Sequence, residues 1–254
     1  MAITVDLSGK TALVTGASSG IGAGVAVALA ANGAHVFVNY PRPEERANAA
    51  AVVEEIVASG GVGYLVEADV SNEAQVLSMF EQIQAVTPSL GIMVNNAGVA
   101  HSSVVEDMQL ADFERLMAVH VTGTFLCTRA ALRVFYQQNY GRLINTASQL
   151  AYLGAPGFAH YTAAKGAILS FTRSVALEIG DRNITANCVA PGATKTPILD
   201  GVPDEILEAI RSNIPAGRLA EVEDIVGAYM FLASDEARHF RGQCLSPNGG
   251  DAFL

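Results

Sequence analysis

The stretch "TALVTGASSGIGAGVAVALAANG", Thr11 to Gly33, decides how the chain is built. "TALVTG" is a short run containing β-branched residues, of the length and type that form a buried strand. "GIGAGVAVALAANG" is small and apolar and closes on Gly33, which reads as a helix and its stop. Between them lies "TGASSGIG", with Gly16, Gly20 and Gly22 in a G-x-x-x-G-x-G spacing. Glycines permit a tight turn and let the backbone approach a ligand closely. The helix behind them offers free N–H groups and the positive end of its dipole to a pyrophosphate. Gly16, Ser18, Ser19, Gly20, Ile21 and Gly22 are therefore the expected phosphate-side contacts of a dinucleotide.

Outward from this unit the alternation repeats. "AHVFVNY", "VGYLVEADV", "LGIMVNNAG", "GRLINTAS" and "NITANCVAPG" read as further strands, and "GQCLSPNGG" as a closing one. Helical patterns separate them: "PEERANAAAVVEEIVASGG", "NEAQVLSMFEQIQAV", the long "LADFERLMAVHVTGTFLCTRAALRVFYQQN", "YTAAKGAILSFTRSVALEIG" and "EVEDIVGAYMFLAS". A loop-rich stretch over 191–216 contains a short helical "DEILEAIRS". Strands alternating with helices imply right-handed crossovers and helices on both faces of a parallel sheet. The expectation is α/β: a single doubly wound Rossmann-type domain over 1–254, with about seven parallel strands.

Composition narrows the function classes. The 254 residues carry a net charge of −10, and the 15 Lys and Arg are scattered, so no basic face for a nucleic acid is expected. No run approaches the roughly 18 apolar residues of a membrane span. "MAITVDLSGK" has no basic region followed by an apolar stretch, so no secretory signal is visible and a cytoplasmic location is expected. Cys127, Cys188 and Cys244 lack metal or disulfide spacing and read as reduced, buried thiols, with no metal site.

"YTAAK" places Tyr161 and Lys165 four residues apart, on one face of a helix. A phenol has a pKa near 10 and needs a neighbouring cation to work as a base near neutrality. Ser148, thirteen residues earlier, follows a predicted strand at the carboxyl edge of the sheet, where ligands bind. With the glycine turn, these residues make the sequence resemble the short-chain dehydrogenase/reductase family over essentially its whole length. "NNAG" at 95–98, "ADV" at 68–70 and "PGATKT" at 191–196 match further family motifs.

The resemblance implies hydride transfer between a carbinol carbon and a nicotinamide. Tyr161 would be the general acid/base and Ser148 would hydrogen-bond the substrate oxygen. Lys165 would lower the pKa of Tyr161 and hold the nicotinamide ribose. Asp69 and Val70 would contact the adenine and Asn96 and Gly98 the path of the adenosine, while Pro191, Gly192, Thr194 and Thr196 would flank the carboxamide. The family also implies a homotetramer pairing helices over 112–138 and 161–180, with the tail "NGGDAFL" near a neighbour's lid.

One position departs from the family. Where its long helix usually has a catalytic Asn, this chain reads "VHVTGTF", with His120. Three readings follow: His120 keeps a proton relay behind Lys165 running from a hydrated channel, it is a satisfied core histidine, or it leaves a weak enzyme that still binds dinucleotide.

The end of the second strand reads "VFVNYPRPEE", with Asn39 and Tyr40 but no Asp for a ribose hydroxyl, so Tyr40 is the expected cofactor contact there. Arg42 can reach a 2′-phosphate, whereas Ser19, Glu44 and Glu45 argue the other way. The cofactor is expected to be NADP or NAD, leaning to NADP or dual use. For substrate, "NYPRPEE" and "GATKTPI…IPAGRL" resemble the glucose 1-dehydrogenase branch, which implies oxidation of an aldose. The lid expected over 193–216 is apolar (Pro197, Ile198, Leu199, Val202, Ile206, Ile214), which suits the alternative, reduction of ketones such as 3-oxoacyl thioesters or cyclic ketones. The absence of a basic patch near it argues mildly against a carrier-bound substrate. Gln149, His101 and His160 are candidate rim hydrogen-bonders.

Overall fold

The computed structural model describes residues 5–253, so the start of "MAITVDLSGK" and the last residue of "NGGDAFL" lie outside the described residues. Seven parallel strands form one sheet in the order β3-β2-β1-β4-β5-β6-β7. They are β1 Thr11–Val14, β2 His35–Tyr40, β3 Val62–Glu67, β4 Ile92–Asn95, β5 Gly141–Thr146, β6 Ile184–Val189 and β7 Cys244–Leu245. The order reverses between β1 and β4, the switch point at whose carboxyl edge such sheets bind ligands. β1, β4, β5 and β6 are buried along their whole length, as strands covered on both faces should be.

Helices α1 Gly20–Ala31, α2 Arg46–Ala58 and α9 Val222–Ala233 cover one face. Helices α3 Glu73–Val86, α5 Gly123–Gln138 and α7 Ala159–Ile179 cover the other, and α4 Leu110–Met117 packs against α7. Two further helices, α6 Leu150–Leu153 and α8 Asp204–Asn213, belong to the loops at the carboxyl edge. Asn72 caps α3 by accepting from the Gln75 amide, and Glu221 and Asp224 form a reciprocal cap on α9.

Three segments differ from the sequence expectation. The long helix over 110–139 is not uniformly α: a π-turn at Ala118–Thr122 joins α4 to α5, and His120 sits inside it. The closing strand contracts to two residues, because Pro247 has no amide to pair and Gly249 and Gly250 turn away at φ +68° and +91°. The helix expected from residue 43 opens with a 3₁₀ turn, Pro43–Glu45, before α2.

A buried polar ladder fixes the strands that carry the site. Asn95 and Asn145 are register partners on β4 and β5, and the Asn95 amide donates to Asn145 Oδ1 at 2.8 Å and to Thr128 Oγ1 at 3.1 Å. The Asn145 amide donates to Thr172 Oγ1 of α7 at 2.8 Å. The ladder therefore locks the face of α5, two strands and the catalytic-side helix α7 into one setting. Asn145→Ala removes one bond at each end, leaving one Asn95 amide hydrogen without a partner while Thr172 keeps the Ile168 carbonyl and Cys188. It should lower the free energy of unfolding by about 1–3 kcal/mol for each group left unsatisfied, read from urea denaturation.

Candidate active site

The glycine turn is held by side chains from both neighbouring strands. Thr15 Oγ1 donates to the Val94 carbonyl at 3.3 Å and accepts from the amides of Asn96 and Ala97 at 3.0 and 3.1 Å. The Asn96 amide returns to the Thr15 and Gly16 carbonyls at 3.0 and 3.1 Å. From the other side, Asn39 Oδ1 accepts from the Gly16 amide at 3.2 Å, while its Nδ2 donates to the carbonyls of Val66 and Ala68. Asn96 thus braces the turn with its side chain, a different task from the adenosine contact expected of it. Thr15 and Asn39, which sequence reasoning did not select, share that task.

A Cβ on Gly16 would stand 2.7 Å from Ala97 Cα, and one on Gly22 would collide with the Gly16 carbonyl and the Asn96 amide. Gly16 and Gly20 also hold φ of +60° and +57°, which glycine alone adopts freely. Ser19, at the N-cap of α1, makes no side-chain cap bond, and the first turn of α1 contains no acid. Its first N–H groups are therefore free for an anion. Opposite, a Cβ on Gly20 would lie 3.3 Å from the Thr196 side chain, so the 191–196 loop forms the second arm of the cradle. Thr194 Oγ1 donates to the Gly192 carbonyl at 2.9 Å, the Gly192 amide donates to Pro247 O at 3.1 Å, and Pro191 O accepts from the Gln149 amide at 3.1 Å. This cradle fits the pyrophosphate of a nicotinamide dinucleotide.

The adenosine side is less open than the sequence suggests. The Tyr40 ring is buried in the core and its hydroxyl accepts from Arg46 at 2.9 Å, so it offers the site no ring surface. Arg42, whose side chain is 65% exposed, lies 3.8 Å from both Glu44 and Glu45. Glu45 also accepts from the Ser18 hydroxyl at 3.4 Å. The Asp69 carboxylate takes the Ser71 amide and hydroxyl and ion-pairs with Arg115 at 3.2 Å. Val70 packs its side chain into the core against Gly123.

Ser148, Tyr161 and Lys165 converge at the carboxyl edge. Ser148 is buried, and its Oγ accepts from the Leu150 amide at 3.2 Å. Lys165 is only 3% exposed; its Nζ donates to the Thr146 carbonyl at 2.7 Å and lies 5.6 Å from the Tyr161 ring centre. Burial pushes Lys165 down to about 7 and raises Tyr161 above the ordinary phenol value. The influence that lowers Tyr161 is the Ser148 hydroxyl. Lys165 Nζ is directed at the Thr146 carbonyl, with the Tyr161 ring a further step away.

His120 is fully buried, not at the mouth of a channel. Its Nε2 lies 3.1 Å from the Val99 amide and 2.8 Å from the Val99 carbonyl, and its ring meets Tyr161 edge-on at 5.4 Å. Nδ1 has no protein partner. A Cβ on Gly98 would approach His120 Cε1 to 2.5 Å, so Gly98 makes room for the imidazole. Burial, with Lys165 nearby, depresses His120 to about 3. The ring is neutral at neutral pH. It can exchange hydrogen bonds through its two nitrogens but cannot act as a standing positive charge.

Of the rim candidates, Gln149 donates to Asp251 at 2.6 Å, and His101 and His160 face each other across the cleft wall. A separate polar cavity of about 640 Å³, lined in part by Arg182, Arg238 and Arg241, lies at the amino ends of β5 and β6, away from these residues. All three cysteines are free, with burial raising Cys127 and Cys188 to about 12. Among the described residues no helix is long and apolar enough to cross a membrane, and no cluster of three metal-ligating side chains occurs.

Residues 16–251 match the family model described as enoyl-(acyl carrier protein) reductase. The chain belongs to the short-chain dehydrogenase/reductase family. It is 37% identical to 3-oxoacyl-(acyl-carrier-protein) reductase FabG of Staphylococcus aureus over 241 residues, 95% of this chain and 97% of that one. It is 38% identical to the Synechocystis 3-oxoacyl-(acyl-carrier-protein) reductase over 245 residues, covering 96% and 97%. Among solved structures, a dehydrogenase/reductase from Sinorhizobium meliloti superposes with a TM-score of 0.91 at 36% identity, covering 98% of this chain and 97% of that one. A short-chain type dehydrogenase/reductase from Mycobacterium marinum does so with 0.92 at 33% identity, covering 98% of each. As a short-chain dehydrogenase/reductase the chain is an oxidoreductase that works with a nicotinamide cofactor.

Removing the phenol hydroxyl in Tyr161→Phe should lower kcat by about 10²–10⁴-fold with dinucleotide affinity kept, measured by steady-state rates and by cofactor fluorescence titration. At the π-turn, His120→Asn should hold kcat within about tenfold of the parent and His120→Leu should lose about 10²-fold or more. Equal rates in the two variants would assign His120 to packing alone.

Proposed function

We propose that the chain reduces a ketone of the 3-oxoacyl type, with Tyr161 giving the proton to the carbonyl oxygen and Ser148 holding that oxygen in place. The observation that carries this reading is the convergence of Ser148, Tyr161 and Lys165 beside a phosphate cradle whose second arm runs on into an apolar segment. Ile198 and Ile206 of that segment are about half exposed, which suits an acyl chain better than a sugar. The named activity of the Staphylococcus aureus and Synechocystis relatives supports the same reading. Oxidation of an aldose, implied by the likeness of two loops to glucose 1-dehydrogenases, is the second reading.

The bound cofactor would supply the hydride. The residues that would hold it are Gly16, Ser18, Ser19, Gly20, Ile21 and Gly22 at the phosphates, and Tyr161, Lys165, Pro191, Gly192, Thr194 and Thr196 at the nicotinamide end. Asp69, Val70, Asn96 and Gly98 complete the adenosine side, mostly through backbone and fit. Arg42, restrained only by surface ion pairs at 3.8 Å, supports NADP, and Glu45 beside Ser18 supports NAD. We read the pair as dual use with a lean to NADP. The working unit is read as one domain over 1–254 in a cytoplasmic homotetramer. Exposed Phe125 and Tyr136 on α5 and Leu177 on α7 supply apolar surface for pairing these helices.

Acetoacetyl-CoA, offered with NADPH and NADH in turn, should be reduced, with loss of reduced-nicotinamide absorbance. Glucose with the oxidised cofactors should turn over at least about tenfold less efficiently, a gap of about 1.4 kcal/mol. Faster glucose oxidation would reverse the order of the two readings.

A further inference from the structure

His160 immediately precedes Tyr161 on the first turn of α7, and it is fully buried. Its Nε2 lies 3.1 Å from Nε2 of His101, in the loop that follows β4, with the two rings edge-on at 4.5 Å. The same two segments are joined once more, by the Ser103 amide donating to the Gly157 carbonyl at 2.9 Å. The catalytic helix thus meets the opposite wall of the cleft through one backbone bond and one imidazole pair.

Two imidazole nitrogens at that distance need one proton between them, neither none nor two. Burial selects which ring carries it. His160 Nδ1 is buried with no partner, and an orphaned acceptor is tolerated better than an orphaned N–H. His160 therefore donates through Nε2, with Nδ1 unprotonated. His101 is half-buried and accepts, with its own Nδ1–H on the wetter side.

We propose that His101 and His160 act as a one-proton latch, positioning the first turn of α7, and with it Tyr161, against the loop after β4. The latch needs one proton in the gap, carried by His160 Nε2 and accepted by His101 Nε2. Asp112 of α4 and the neutral His120 of the π-turn stand near the pair. A further proton has the vacant His160 Nδ1 to occupy, so the bond persists with one ring charged and the latch acts through geometry, not through titration.

The test compares the parent with His101→Gln, which can accept one bond from His160 but does not titrate, and with His101→Ala, which cannot. Nitrogen-15 spectra of the cofactor-free protein read the His160 tautomer without any substrate. They should show the Nε2–H form in the parent and in His101→Gln, and its loss in His101→Ala. An Nδ1–H form in the parent, or spectra indifferent to His101→Ala, would overturn the latch. In parallel, kcat and KM for acetoacetyl-CoA are measured at neutral pH. His101→Ala should lose about tenfold in kcat with KM kept, and His101→Gln should stay within about threefold of the parent. Equal kcat in the parent and His101→Ala would overturn it as well. Failure of acetoacetyl-CoA to react at all would count against the proposed substrate, and the tautomer spectra would still decide the latch.

Discussion

The hydroxyl of Thr15 is where two halves of the sheet are joined. At the switch point β1 and β4 part company on their way to opposite faces, and both need their last backbone groups satisfied. Thr15 serves β4 and the Asn96 side chain serves β1, so the bonding is reciprocal over more than eighty residues of sequence. The glycine turn cannot relax away from this joint, because Gly16 and Gly22 have no room around their α-carbons. The anion-binding end of α1 is therefore aimed before any ligand arrives. Ordering a flexible loop on binding would otherwise subtract from affinity.

The reaction centre is unusually dry for a site that moves protons. Lys165, His120 and Tyr161 are all shifted towards their neutral forms by burial. Ser148, with a hydroxyl that favours the phenolate, is then more than a holder for substrate oxygen. It offsets part of the penalty that burial imposes on Tyr161.

What could be read from the sequence was what is local in it. The glycine spacing, the Tyr161 and Lys165 pair and the seven alternating strands each depend on neighbours within a few residues, so pattern alone placed them. The braces depend on distant partners. Asn39 looked like a missing ribose contact, yet its amide ties the glycine turn to the end of β3, a task set by strand order. Tyr40 carried the right position but the wrong side of the pleat, with its ring turned into the core. His101 and His160 are fifty-nine residues apart and gave no signal beyond being polar near the rim. The specific substrate stays with the loops, whose sequence sets no local pattern.

The π-turn around His120 has a consequence of its own. A π-turn accommodates one more residue than the α-helical turn it replaces, so α4 and α5 run in helical phases that differ by about a residue, roughly 100° of rotation. Upstream, α4 buries Leu116; downstream, α5 turns Leu126, Cys127 and Ala131 into the core on its face of the sheet. Both faces are apolar in the right phase only because the extra residue is absorbed between them. His120 is thus tied to a count as well as to a place. A chain one residue shorter here could bury its imidazole or bury the α5 stripe, but not both.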